Sequence, residues 1–150
     1  MEFRKAGASD APSIARAEEE IFSAPWTLRD VSDILVTEGG MCYVALDGGR
    51  VIGYVLGRII PPEGELYRVA VLPSYRRRGI GYRLLDFAVK SSKSRGLEIL
   101  FLEVRRQNTA AKALYRAYGF RDVSVRKNYY RDPPDDAIVM VRAHPDDLRT

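Results

Sequence analysis

The stretch Val69-Ala70-Val71-Leu72-Pro73-Ser74-Tyr75-Arg76-Arg77-Arg78-Gly79-Ile80-Gly81 constrains the fold of this chain more than any other. An apolar run of strand character ends at a proline. A basic turn containing glycine follows, and an amphipathic run begins near Ile80. The first N–H groups of a helix have no partner within it and point outward, which suits an anion. Gly79 and Gly81 lack the Cβ that would keep a ligand away from the backbone. Arg76, Arg77 and Arg78 add positive charge and forked donors that match phosphate oxygens. The segment reads as a pyrophosphate cradle; on its own it also fits a basic turn that merely opens a helix.

Spacing excludes two familiar phosphate loops. The string G-x-x-x-x-G-K-[ST] does not occur. In the dinucleotide fingerprint G-x-G-x-x-G, Gly79-Ile80-Gly81 would need a third glycine where Leu84 stands. The pattern is instead Arg-x-x-Gly-x-Gly after a strand.

Charge points to the same region. Residues 1–65 carry six basic and eleven acidic side chains, a net −5; residues 66–150 carry eighteen and nine, a net +9. The second half therefore attracts polyanions. A phosphorylated cofactor ranks above nucleic acid, because the positive charge peaks beside Gly79 and Gly81.

A length of 150 residues suits one domain, 1–150, and 46% hydrophobic with 29% charged residues suits a soluble globular protein. No apolar run approaches the ~20 residues of a membrane helix, and Met1-Glu2-Phe3-Arg4-Lys5 lacks the apolar core of a signal peptide. The single Cys42, inside a strand-like run, excludes an internal disulfide and suits a cytoplasmic protein. With His144 the only histidine, a zinc site is not expected, and no metal is assigned.

Periodicity gives the order β-α-α-β-β-β-α-β-α-β-β, a mixed sheet with helices on its faces. Glu2–Lys5 is a short strand. Ser9 or Asp10 caps a helix with Pro12 in its first turn, Ile14, Ala17, Ile21 and Phe22 on one face, and Glu18, Glu19 and Glu20 on the wet face. Thr27 with Asp30 caps a second helix. Met41–Leu46 and Arg50–Ile60 form a hairpin through Asp47-Gly48-Gly49. Leu66–Leu72 leads into the glycine turn, and the following helix closes at Gly96. Ile99–Val104 is a buried strand. Asn108 or Thr109 caps a short helix through Ala110, Ala113, Leu114 and Ala117. Phe120–Arg126 and Ala137–Val141 are the last strands, with Asn128–Asp135 a loop by composition.

Glu103 stands out in Leu100-Phe101-Leu102-Glu103-Val104, where both alternating faces are apolar. A carboxylate in a central strand costs free energy unless paired or functional. It is a candidate base; a carboxylate at the strand's open end, paired with Arg105 or Arg106, is the alternative. Asn108 and Tyr115 lie seven residues apart, close to two helical turns, and share a face. Taken singly they read as a cap and a packed aromatic.

The Arg-x-x-Gly-x-Gly turn resembles the acetyl-CoA-binding motif of the GCN5-related N-acetyltransferases (the GNAT superfamily). The stretch Leu102-Glu103-Val104-Arg105, Asn108, Ala113-Leu114-Tyr115, Gly119-Phe120, Arg126-Lys127-Asn128-Tyr129-Tyr130 and Asp136-Ala137-Ile138 resembles one of its groups. That is the RimI-like and archaeal Ard1-like group, which acetylates protein N-terminal α-amino groups. The resemblance runs from about Phe3 to Met140.

It implies an α/β (α+β) GNAT fold, a mixed, mostly antiparallel sheet of about seven strands with about four helices. It implies acetyl-CoA as cosubstrate and a protein or peptide N-terminus, of a ribosomal protein or a broader set, as acceptor. Backbone groups of Val69 and Val71, with Ala70 between, would pair with the pantetheine arm. Arg76, Arg77, Arg78, Gly79, Ile80 and Gly81 would hold the pyrophosphate, and Asn108 the pantetheine region. Glu103 would be the general base, with Glu65 its rival, and Tyr115 the general acid. Pro25-Trp26 and Tyr129-Tyr130 would flank the substrate peptide. An enzyme of the same fold acting on a small amine or lysine side chain, or a non-catalytic acyl-CoA-binding or nucleic-acid-binding module, would share much of this pattern.

Overall fold

The computed structural model describes residues 1–143; His144 lies outside them. The elements run β1 (Glu2–Lys5), α1 (Ala11–Ile21), α2 (Leu28–Val36), β2 (Tyr43–Asp47), β3 (Arg50–Ile60), β4 (Glu63–Val71), α3 (Ile80–Ser92), β5 (Ile99–Arg105), α4 (Thr109–Ala117), β6 (Arg121–Arg131) and β7 (Pro134–Ala143). This is the order that periodicity gives.

Local chemistry sets most boundaries. Thr27 and Asp30 close a capping box at the start of α2: the Thr27 Oγ1 accepts from the Asp30 N–H, and the Asp30 carboxylate accepts from the Thr27 N–H, both at 3.1 Å. Gly48 and Gly49 turn the β2–β3 hairpin with φ of 57° and 81°, a conformation in which a Cβ is strained. Asp10 does not cap α1 with its side chain. Its carboxylate takes the Arg4 guanidinium at 2.8 and 2.9 Å and the Gly7 N–H at 2.8 Å, and a 3₁₀ turn over Ala8–Asp10 leads into the helix.

The seven strands form one sheet in the order β1-β2-β3-β4-β5-β7-β6. Every neighbouring pair is antiparallel except β4–β5, whose parallel connection requires the α3 crossover. Tyr43 and Tyr54 identify the two faces. The Tyr43 hydroxyl lies 3.3 Å from Ser92 Oγ on α3, while the Tyr54 hydroxyl donates to Glu18 on α1. Tyr54 is in register with Val44, the neighbour of Tyr43. Side chains alternate along a strand, so α1 and α3 cover opposite faces. Helix α4 lies beside α3, where Leu114 packs near Gly81 and Tyr118 donates to Asp86 at 2.8 Å.

The sheet splits in its middle. β4 pairs with β5 only from Glu63–Leu66 against Ile99–Leu102. Beyond that, β4 stays on β3 and β5 stays on β7. A bulge marks the junction: Leu56 faces Arg68 but Gly57 faces Leu66, leaving Tyr67 as the extra residue. Gly57 permits this because a Cβ there would lie 2.5 Å from the Glu65 carbonyl oxygen.

Three expectations need correction. Asn128–Asp135 is not a loop: β6 runs to Arg131 and β7 starts at Pro134, with Tyr130 opposite Asp135 and Arg131 opposite Pro134. Backbone pairing overrides the turn-like composition, and the ladder shifts between Arg126 and Tyr130, where Asn128 takes φ 55°. Glu18 is not on the wet face of α1 but fully buried. Strand β5 is not equally apolar on both faces. Leu100, Leu102 and Val104 are buried, whereas Ile99, Phe101, Glu103 and Arg105 are half-buried. On α4, Ala110, Ala113 and Ala117 are exposed, and Ala111, Leu114, Tyr115 and Tyr118 face the core.

Candidate active site

The split exposes backbone at the right place. The Leu72 N–H donates to the Ile52 carbonyl of β3 at 2.9 Å. Because antiparallel pairing alternates, the N–H and C=O groups of Val69 and Val71 point the other way, into the split. The Val71 carbonyl accepts from Arg76 Nε at 3.1 Å. Ala70 points its methyl into the core on the face shared with Tyr54.

Directly beyond, α3 starts at Ile80 after Gly79, whose φ of 73° no β-branched residue accepts without strain. The Arg83 N–H is bonded to the Gly79 carbonyl at 3.1 Å. The N–H groups of Ile80, Gly81 and Tyr82 precede that first helical bond and lack intrahelical acceptors. Arg76, Arg77 and Arg78 are exposed around this turn, Arg77 with φ 65°. Gly81 has a further role that sequence alone does not reveal: a Cβ there would stand 3.3 Å from Leu114 Cδ2, so it permits the α3–α4 contact.

Glu103 projects on the same face as Glu65, because Glu65 is in register with Phe101 and Phe101 with Glu103 alternates onto one side. Its carboxylate is mostly covered, at 17% exposure, and Oε1 lies 3.6 Å from Arg126 Nε. Its other oxygen, Oε2, is buried without a hydrogen-bond partner. A buried acceptor of this kind is served by water, by a ligand or by the nearby Tyr129 hydroxyl, which hydrogen-bonds to the Glu103 carboxylate closely enough to have its pKa raised by it. The Glu65 carboxyl is raised above the usual range, first by desolvation and then by the Glu103 charge, with Arg126 opposing.

Aromatic side chains wall this acidic pair. Trp26 and Tyr67 rings lie 5.7 Å apart, and Tyr129 meets Tyr130 edge-on at 5.1 Å. The Tyr129 hydroxyl is held above its ordinary value chiefly by the neighbouring Glu103 carboxylate. Burial does the same to Tyr67, with Glu65 adding to it. Arg105 stacks on the Tyr130 ring at 4.1 Å. Two carboxylates with aromatic walls suit a small cation such as an ammonium group.

Tyr115 comes from α4, on the opposite face of the sheet. It is buried, packs edge-on against Phe120 at 5.6 Å, and its hydroxyl is pushed up to about 12, chiefly by burial, with the Arg68 charge opposing. Asn108 is exposed at the start of α4, where its Oδ1 accepts from the Ala111 N–H at 3.1 Å. The cap occupies that oxygen and leaves the amide NH₂ as a donor. Pro25 is exposed and Trp26 half-buried in the α1–α2 connection.

The fold thus brings Glu103, Tyr129 and Tyr130 together beside the split, and places the Val69–Val71 edge and the α3 start along it. Tyr67, Arg68 and Arg126 also belong to this neighbourhood and were not singled out by sequence. Tyr67 and Arg68 are hidden by the bulge, which puts two consecutive residues on one face against the alternation.

Among the described residues no helix is long and apolar enough to cross a membrane, and no three His, Cys, Asp or Glu side chains are grouped to hold a metal ion. Residues 11–120 match the family described as Acetyltransferase (GNAT) family. The chain is 39% identical over 144 residues to the N-alpha-acetyltransferase RimI of Mycobacterium tuberculosis, an alignment covering 89% of this chain and 87% of that relative. Its fold matches the crystal structure of the ribosomal-protein-S18-alanine N-acetyltransferase from Escherichia coli with a TM-score of 0.88 and 29% identity, over 95% of this chain and 92% of that one. It matches Ard1 from Thermoplasma volcanium with a TM-score of 0.84 and 26% identity, over 95% and 96%.

Proposed function

We propose that this chain, which belongs to the acetyltransferase (GNAT) family, acetylates the N-terminal α-amino group of proteins with Glu103 as general base and Tyr115 as general acid. Acetyl transfer from acetyl-CoA to nitrogen is the activity of the family and of the RimI relative. The acceptor, a ribosomal protein or a broader set, and the residue roles are our reading. The observation that supports it is the mostly covered Glu103 carboxylate, with its buried Oε2, beside Glu65 and Tyr129 where β4 and β5 part.

The chain fits acetyl-CoA. Val69 and Val71 offer an unpaired strand edge for the amide groups of the pantetheine arm. The α3 start and Arg76, Arg77 and Arg78 offer N–H donors and positive charge for the pyrophosphate. Bound there, the cosubstrate supplies an acetyl thioester.

An α-amino group of reference pKa ~7.7–8.0 is mostly protonated at pH 7 and has no lone pair for attack. Glu103 accepts a proton from it, directly or through water. The amine nitrogen then forms a bond to the acetyl carbonyl carbon, and the Val71 N–H, which points into the split, stabilises the developing oxyanion. As the carbon–sulfur bond breaks, sulfur takes the electron pair and Tyr115 donates it a proton. The ammonium loses two protons in all: one leaves through Glu103 to solvent, and the other balances the one Tyr115 gives up.

Trp26→Ala and Tyr129→Ala test the acceptor assignment. Each should lower kcat/KM for a peptide by about tenfold or more and leave acetyl-CoA affinity unchanged in calorimetry. Full peptide activity in both variants would overturn the assignment. Gly79→Val tests the cradle, because valine resists φ 73° although a Cβ there meets open space. Acetyl-CoA should bind about tenfold or more weakly; an unchanged Kd would remove the pyrophosphate from this turn.

A further inference from the structure

We infer that Glu18 is a positioning residue that fixes the Pro25–Trp26 loop against the strands that open the cleft. The inference rests on the reading that this loop flanks the acceptor peptide. Glu18 stands in a run of three glutamates, yet its side chain is fully buried while Glu19 and Glu20 are exposed. Burying a carboxylate is costly unless its oxygens are served. Here three donors from three places converge on it: Tyr54 O–H from β3, Arg68 Nε from β4 at 3.1 Å, and the Trp26 backbone N–H at 2.8 Å.

Arg68 extends the clamp. Its Nη2 donates to the Ala24 carbonyl at 3.1 Å, and its guanidinium lies 4.1 Å over the Phe22 ring. One ion pair therefore holds the loop at residues 22, 24 and 26. Both anchoring strands belong to the half of the sheet that carries the bulge, and Arg68 directly follows the bulge residue Tyr67. The Trp26 ring rests on Tyr67 itself. The loop is thus referenced to the feature that opens the split, which an apolar anchor under α1 could not do with direction.

Trp26 is the only tryptophan, so its fluorescence reports the loop without interference. Glu18→Gln keeps the volume but loses the charge that holds Arg68. It should raise peptide KM by about tenfold, expose Trp26 to acrylamide quenching, and leave acetyl-CoA Kd unchanged. The double variant Glu18→Gln/Arg68→Gln removes both members of the ion pair together and guards against a folding defect; it should show the same KM and quenching changes. A purely structural Glu18 would lower the melting temperature or the active fraction while peptide KM and Trp26 quenching stay at wild-type values, and that result overturns the inference. The quenching experiment needs no acceptor. A wild-type protein that acetylates no peptide would defeat the proposed function, whereas unchanged quenching in both variants would defeat the anchoring role.

Discussion

Glu103→Gln is expected to lower kcat for peptide acetylation by about a hundredfold to ten-thousandfold at neutral pH, with acetyl-CoA affinity unchanged. Glutamine preserves the shape of the side chain and its place beside Arg126, but it cannot accept the proton from the ammonium group. Steady-state kinetics over a pH series and calorimetry with acetyl-CoA measure both halves of the statement. The rival base is Glu65, whose carboxyl pKa is raised by desolvation and by the Glu103 charge. Position separates the two. Glu65 lies within the paired part of β4 and β5, whereas Glu103 is the first residue of β5 beyond it. Glu65→Gln should therefore cost far less than Glu103→Gln. An active Glu103→Gln enzyme together with an inactive Glu65→Gln enzyme would transfer the role to Glu65.

Tyr115→Phe is expected to cost about a hundredfold or more in kcat, again with little change in acetyl-CoA binding. Phenylalanine keeps the edge-on contact with Phe120 and removes only the hydroxyl. The pH dependence has a definite sign. Burial favours the neutral phenol and pushes its pKa up to about 12, so Tyr115 holds its proton across any practical assay range. No fall in kcat attributable to its ionisation should occur below about pH 11. A wild-type kcat in Tyr115→Phe would assign protonation of the sulfur to water. An alkaline limb near pH 9 that disappears in Tyr115→Phe would place its pKa well below what its burial implies.

Much of this architecture is written in local signals. The capping box of Thr27 and Asp30, the Gly48-Gly49 turn, Gly96 after α3 and the arginine–glycine turn each act over a few residues. They fix where elements start and stop, and the order of eleven elements follows. The strand, turn and helix start of the proposed cradle were legible for the same reason: they are contiguous. Glu103 was legible as an anomaly, a charge in an apolar run.

What escaped depends on contacts distant in sequence. Glu18 sits beside two glutamates, and nothing within its helix says that it meets Tyr54 and Arg68, 36 and 50 residues away. The bulge at Tyr67 breaks the alternation by which strand residues are sorted into faces. It arises because Gly57, on another strand, permits a close approach to the Glu65 carbonyl. The β6–β7 hairpin is built from residues of turn-like composition, and only pairing along Tyr130–Arg131 and Pro134–Asp135 makes them strand. In that hairpin Tyr130 is paired with Asp135, while Tyr129 lies in the stretch where the register shifts between Arg126 and Tyr130.

The acceptor is identified by mass spectrometry of a peptide mixture incubated with the protein and acetyl-CoA. The mixture holds peptides with free N-termini beginning with Ala, Ser, Met and Glu, together with N-blocked peptides containing lysine. An added acetyl group is expected on free N-termini alone, in amounts that rank the preferred first residue. Acetylation of lysine in the blocked peptides, with the free N-termini untouched, would contradict the proposed function and point to a side-chain or small-amine acceptor.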